Sequence, residues 1–260
     1  MKLRYLKFII LILLSPCYVF GQNARFVKSG IIEFEKSVNI HAIVKRLINK
    51  DNEYYYGPAL EQYKKSQPQF KKLKSTLTFA NNKTLFVPEA SSLIGSMGFF
   101  NEMPMVSQHN TIYTDLSGHQ RIIQKKAFEE SFLLRDSTHK IKWKITSETR
   151  EIAGYQCRRA NAIILDSVYV VAFYTDQIPV SGGPESFNGL PGMILGLALP
   201  HDNVTWFATK VTDTSVTQNT LIPPGKGKAV TNKEFFDKLS SAMKDWGSTF
   251  AKSALIAFSL

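Results

Sequence analysis

Three groups of residues in this 260-residue chain have types and spacing that could do chemistry. Cys157 shares one face of an alternating stretch with Tyr155 and Arg159. A nucleophilic thiol needs a neighbouring base and an electropositive, accessible setting. His41, His109, His119, His139 and His201 are scattered and form no signature with it, which favours a buried structural thiol, and Arg158 and Arg159 read as a solvated edge rather than an anion clamp. The second group is Met97, Met103 and Met105 with His109, in a glycine-containing stretch that also holds Phe99 and Phe100. Thioethers with an imidazole can hold Cu(I). The same residues can also form an adaptable apolar flap around a greasy ligand, or a cap on the core. The third group is the run from Gly182 to Gly192, with Pro184, Gly189, Leu190 and Pro191. Proline fixes φ near −65°, the following glycine can take a turn conformation, and Leu190 is left to point inward. This loop either seals one end of a sheet or also touches a ligand.

Other chemistries lack their residues. No His-Glu-x-x-His pattern, no Gly-x-Ser-x-Gly elbow and no phosphate-binding glycine loop occurs. The acids are spread along charged strand faces, so no catalytic carboxylate pair, metal-ligand set or cofactor is indicated. Basic and aromatic residues do not interleave as on a nucleic-acid platform.

The elements that must position these groups begin after a leader. Lys2, Arg4 and Lys7 precede the apolar run 8–14, then Pro16 and a small-residue end near Gly21, the pattern of a cleaved signal peptide over residues 1–21. Cys17 follows Pro16, a poor residue for lipoprotein cleavage, so lipidation is disfavoured. The expected location is periplasmic or secreted, and beyond Gln22 no stretch is long enough to be a membrane helix. Without the three leader cations, 29 basic residues face 21 acidic ones, a net charge of +8. Such a balance suits either a solvated lysine-rich surface or contact with anionic surfaces. Cys157 alone remains in the mature chain, so packing and not a disulfide must stabilise it.

Ile32, Phe34 and Lys36 alternate with Ile31, Glu33 and Glu35 in an opening strand. Asn39 then caps a helix whose apolar face is Ile40, Ile43, Val44, Leu47 and Ile48. Gly57-Pro58 interrupts the chain before a weaker helical stretch over 60–66. Leu73, Ser75, Leu77 and Phe79 share one face of a strand, Asn81-Asn82 makes a two-residue turn, and Leu85 and Val87 resume the inward pattern. Strands follow near 110–116, 119–127, 130–135 and 141–148, with hairpins over 155–175 and 192–213. Residues 215–230 read as a linker, and Thr231 with Glu234 opens a closing helix, 231–250, whose apolar face is Phe235, Phe236, Leu239, Met243 and Trp246.

The segment Gly183-Pro184-Glu185-Ser186-Phe187-Asn188-Gly189-Leu190-Pro191-Gly192-Met193-Ile194-Leu195 resembles the GLPGLI family, exported Bacteroidetes proteins named for that hexapeptide. Trp143, the block 148–160 and the block Phe173-Tyr174-Thr175-Asp176-Gln177-Ile178-Pro179 fit the same pattern in order and spacing. Met193 replaces a leucine of the hexapeptide and Phe173 a tryptophan, both with similar volume. The resemblance implies export and a domain type; it implies no activity.

The expected architecture is mainly β (α+β): a single domain, 22–260, with a curved antiparallel sheet or open barrel and one N-terminal and one C-terminal helix packed on it. It resembles that of periplasmic lipoprotein carriers, at the level of fold only. The expected role is non-catalytic binding of a lipid, acyl chain or peptide between sheet and helices. Docking to an outer-membrane receptor through the Pro/Gly loop is an alternative, and a cysteine- or methionine-based metal handler or enzyme is another. The candidate ligand or docking residues are Trp143, Tyr155, Tyr174, Pro184, Gly189, Leu190, Pro191, Gly192, Met97, Phe99 and Phe100.

Overall fold

The protein is described by a computed structural model over residues 26–89, 98–107 and 110–260. The leader 1–21, Met97 and His109 lie outside the described residues. Among the described residues twelve strands join in one sheet that does not close, and the chain is mainly β. The strands are β1 (Ser29–Asn39), β2 (Phe70–Ala80), β3 (Lys83–Pro88), β4 (Asn110–Asp115), β5 (Gln120–Ala127), β6 (Glu130–Ser137), β7 (Lys144–Ile152), β8 (Tyr155–Ile164), β9 (Val168–Thr175), β10 (Met193–Leu199), β11 (Val204–Asp213) and β12 (Lys228–Val230). Their order is β12-β6-β5-β4-β3-β2-β1-β11-β10-β9-β8-β7. Every pairing is antiparallel except that of β12 with β6.

Alternation sets the two faces. On β1, Ile32, Phe34, Lys36 and Val38 are buried, and on β2 Ser75, Leu77 and Phe79. The Asn81-Asn82 turn forms as expected, with φ of 51° and 57°. On β3, however, the inward pair is Thr84 and Phe86, not Leu85 and Val87. Phe79 pairs with Thr84 and Leu77 with Phe86, and directly opposed residues share a face.

Asn39 caps α1 (Ile40–Leu47) by accepting the Ala42 N–H, and Ile40, Ile43, Val44 and Leu47 go into the core. Each such side chain contributes about 1.5–3 kcal/mol of burial. Gly57-Pro58 does not break the next helix: α2 runs Glu53–Ser66 with Pro58 inside it. Proline removes the hydrogen bond to the Tyr54 carbonyl, and Tyr54 is 83% exposed, so water can take that carbonyl. Two short helices, α3 (Gly98–Asn101) and α4 (Pro104–Ser107), follow.

The closing helix is two helices. α5 (Asn232–Ala242) starts at the expected Thr231/Glu234 capping box. Gly247, at φ 77°, then redirects the chain into α6 (Ser248–Ser259). The expected linker also contains β12. α6 packs against α4 and α5 and buries Ala254, Ala257 and Phe258. No helix among the described residues is long and apolar enough to cross a membrane.

Candidate functional site

Between β9 and β10 the chain makes a long irregular loop. Its first half lies against the start of β10: Met193 N–H donates to the Ile178 carbonyl (3.0 Å) and Ile194 N–H to the Gly182 carbonyl (2.8 Å). A Cβ on Gly182 would lie 2.8 Å from Thr84 Cγ2 on β3, so this contact needs glycine. In the sheet, β11, β1 and β2 separate β10 from β3. The loop therefore crosses the inside of a curled sheet. Residues 182–188 are buried, and only Gly189 and Pro191 of the Gly-Leu-Pro-Gly turn reach the surface. Trp143 holds the loop by donating its indole N–H to the Asn188 carbonyl at 2.9 Å.

The loop carries Glu185 into the interior, 6% exposed and at φ 53°. Asn110 of β4 donates to its Oε2 at 3.0 Å. Lys36 of β1 and Lys125 of β5 both bear on the same carboxylate, and Lys36 Nζ sits 5.2 Å from the Trp206 ring. β1 and β5 are four strand spacings apart, about 19 Å in a flat sheet. Two lysines can flank one glutamate from there only because the sheet curls around it.

Burial dominates the electrostatics. It lowers Lys36 from 10.5 to about 8, against the attraction of Glu185 and with a smaller push from Lys71. It lowers Lys125 to about 7, again against Glu185 and with Arg121 adding to the effect. It raises Glu185, against Lys36, Asn110 and Lys125. The Trp206 indole N–H faces Glu185 but meets no acceptor in hydrogen-bonding geometry. Lys125 Nζ donates to the Phe258 carbonyl of α6 at 2.6 Å. Lys36, Met105, Asn110, Glu185, Trp206, Ala257 and Leu260 enclose a chamber with no room for a water molecule.

Outside this chamber lies a cavity of about 510 Å³, within the range of small-ligand sites. The β6–β7 connection supplies His139, Lys140, Ile141 and Lys142, the β8–β9 turn Ile163, Ile164, Leu165 and Asp166, and the loop Ser186 and Phe187. Ser259 and Leu260 complete it. Its walls are thus apolar, exposed Lys140, Lys142 and Asp166 stand at its rim, and Ile163 and Leu165 stand at its lip, 66% and 49% exposed. The buried Ser186 hydroxyl has no partner. Behind the cavity wall Arg121 ion-pairs with Asp136 at 2.9 Å and lies 2.6 Å from His139 Nε2.

Residues 164–196 match the family described as a protein of unknown function (Porph_ging). The matched stretch includes the inner lip of the cavity, all of the crossing loop and Glu185. Two structures of PNGF-II, in the P21 and C2 space groups, are similar to this chain at TM-scores of 0.50 and 0.51 with 16% and 15% identity. They cover 81% and 86% of this chain, which spans about a third of theirs, 32% and 33%. That likeness shows the fold. None of the curated proteins matches the sequence.

The structure separates the residues nominated from the sequence. Trp143 and the loop residues Pro184, Gly189, Leu190, Pro191 and Gly192 come together. Leu190 is 2% exposed, an inward plug, and a Cβ on Gly192 (φ 150°) would lie 2.1 Å from the Thr175 carbonyl oxygen. Tyr174 is buried and Tyr155 packs half-buried against the core, neither of them on the cavity. Phe99 and Phe100 lie elsewhere. Phe99 stacks on Tyr56 at 6.0 Å, and with Met103, Met105, Trp246 and Phe250 it lines a separate apolar groove of about 190 Å³. Cys157 is fully buried, and burial pushes its thiol up to about 12. Arg159 pairs with Glu148 at 2.5 Å.

Glu185, Lys125, Asn110, Trp206 and the cavity residues were not nominated from the sequence. One signal was present: Lys36 falls on the same alternating face as Ile32 and Phe34, where a charge has no reason to sit unless something inside pairs with it.

Proposed function

We propose that this chain is an exported, non-catalytic binding protein for an amphipathic ligand, a lipid or acyl chain, held in the cavity beside the crossing loop. The observation that carries the reading is the cavity's composition: Ile141, Ile163, Ile164, Leu165 and Phe187 offer apolar wall, while Lys140 and Lys142 offer cations at a rim that also holds Asp166. An acyl chain fits the first and an anionic or zwitterionic headgroup the second. Exposed Ile163 and Leu165 find a use as the lip over which such a ligand enters. The leader-like residues 1–21 and the GLPGLI-like segment 183–195 support export.

Native mass spectrometry of the protein purified from an envelope fraction, against its denatured mass, tests this. The expected result is a removable mass in the lipid range. Ile163→Asp with Leu165→Asp, both at exposed positions, should abolish it with little change in melting temperature. A clean apo mass, together with no uptake of a fluorescent acyl probe, refutes the proposal.

A further inference from the structure

The β8–β9 turn breaks two local rules at once. Ile164, Leu165, Asp166 and Ser167 are its four residues, with Ser167 N–H donating to the Ile164 carbonyl at 3.2 Å, Leu165 at φ 48° and Asp166 at φ 60°. Such a turn favours asparagine and glycine, and a bulky side chain in the left-handed region is strained. Leucine nevertheless stands there, 49% exposed, with Ile163 close by at 66%. We infer that this tip is a membrane-docking prong: Ile163 and Leu165 enter the apolar layer of a bilayer while the lysines around them meet anionic lipid headgroups. The inference goes beyond the binding proposal above by naming the surface from which a ligand crosses the lip, and it stands on the exposed tip and not on what the cavity holds.

Strand pairing places the charges. Lys144 lies opposite Asn161, and Ile163, two residues further along β8, lies opposite Tyr169 on β9. Residues directly opposed, and those two apart on one strand, share a face, so Lys144 and Ile163 stand on the same side of the sheet. Lys140 and Lys142 meet Ile163, Leu165 and Asp166 around the mouth of the cavity. All three lysines are exposed, and none is ion-paired among the described residues. Three lysines against Asp166 leave the tip an excess of two positive charges. The acids of β7 do not cancel it: Glu148 is held by Arg159, and Glu151 pairs with Gln156 at the far end of the β7–β8 hairpin. Apolar insertion and attraction to anionic headgroups are the two signals that together hold a protein on a bilayer. A protein partner fits this tip less well. Two apolar side chains on a tight turn fall far short of the about 800 Å² per side that a stable protein interface buries, whereas lipid closes around a narrow tip.

The test is co-sedimentation of the protein, purified from the envelope fraction and stripped of lipid, with vesicles of phosphatidylcholine alone or with about one third phosphatidylglycerol. Wild type, Leu165→Asn and Lys144→Glu are compared. Asparagine suits the left-handed turn, and Lys144 is exposed and does not line the cavity, so both variants keep the fold. The wild type should bind the anionic vesicles about ten-fold more tightly than the neutral ones and be released by salt. Leu165→Asn should weaken anionic binding about ten-fold, and Lys144→Glu about five-fold or more with uptake of a soluble acyl probe unchanged. A polarity-sensitive dye on Ile163→Cys should shift to the blue on anionic vesicles, the native thiol of Cys157 being fully buried. No binding to anionic vesicles, binding indifferent to lipid charge, full binding by Leu165→Asn, or a dye that does not shift overturns the inference. So does a dimer that forms in place of vesicle binding and is lost in Leu165→Asn, which assigns the tip to a second copy. Vesicle binding without probe uptake upholds the docking tip and refutes the cavity reading, and uptake without vesicle binding does the reverse.

Discussion

The two buried lysines should make the protein more stable as pH rises from 7 to 9, and Lys125→Met should remove most of that rise. Burial holds Lys125 near 7 and Lys36 near 8 in the folded chain, against an ordinary 10.5 once unfolded. Between these values the unfolded chain binds more protons than the folded one, so stability increases with pH. From pH 7 to 9 the linkage integral gives about 2 kcal/mol for Lys125 and about 1 kcal/mol for Lys36. Other shifted groups act mostly outside this window. His139, lowered by burial and by Arg121, titrates below pH 7. Cys157, raised by burial, lowers stability as pH climbs through its unfolded value of 9 and beyond. Glu185 is raised and works in the opposite sense to the lysines, so the difference between wild type and Lys125→Met is the quantity to measure. Methionine keeps the volume and drops the charge, at a cost of about 1 kcal/mol for the lost bond to Phe258. Denaturant titrations at pH 7, 8 and 9, followed by tryptophan fluorescence, should show the wild type gaining about 2 kcal/mol more than the variant. Parallel profiles would mean that Lys125 is solvated, and would refute its burial behind β5.

Gly192→Val should cost more than about 3 kcal/mol and abolish the near-UV circular dichroism of the folded protein, because its Cβ would lie within 2.1 Å of the Thr175 carbonyl oxygen. Cys157 should resist iodoacetamide under native conditions and react fully in denaturant, as read by intact mass, since it is buried with its thiol pushed up to about 12. Trp143→Phe should lose about 1 kcal/mol with its hydrogen bond to Asn188, and hydrogen exchange should then quicken in the crossing loop before it does in β9 or β10. Deleting the Thr231 cap by Thr231→Ala should cost about 1 kcal/mol and lower the melting temperature without altering ligand uptake, since α5 does not line the cavity.

The strands were legible because their signal is local. Alternation in 70–80 and the Asn81-Asn82 turn specify a hairpin, and the Asn39 and Thr231 caps specify helix starts. The site was not, because it depends on register and curl. In Gln120-Arg121-Ile122-Ile123-Gln124-Lys125-Lys126-Ala127 either alternating set contains an isoleucine and a charge. Only pairing with β4 and β6 decides that Arg121 and Lys125 face inward. α6 was missed for a related reason. Ser248–Ser259 has a single charge, Lys252, so it lacks the charged face that marks a surface helix, and its packing against α4 and α5 is a tertiary fact. Glu185 sat in plain view inside the most distinctive segment, yet a loop acid reads as solvated until the loop is seen to run through the interior.

Position by position, the chamber argues against stability as its purpose. A buried Lys–Glu–Lys set can usually be exchanged for packed hydrophobic residues with no loss, and often with a gain of about 1–4 kcal/mol. Here four separate devices maintain it: Lys36 on an otherwise apolar strand face, Lys125 on β5, Asn110 held to Glu185, and a loop whose glycines let it pass close to β3 and β10. Local rules are broken where something other than folding is served. The matched stretch 164–196 contains the inner lip of the cavity, Ser186 and Phe187 on its wall, and Glu185 in the chamber. The loop therefore does two jobs with adjacent residues, shaping an apolar wall with one side and placing a charge behind it with the other.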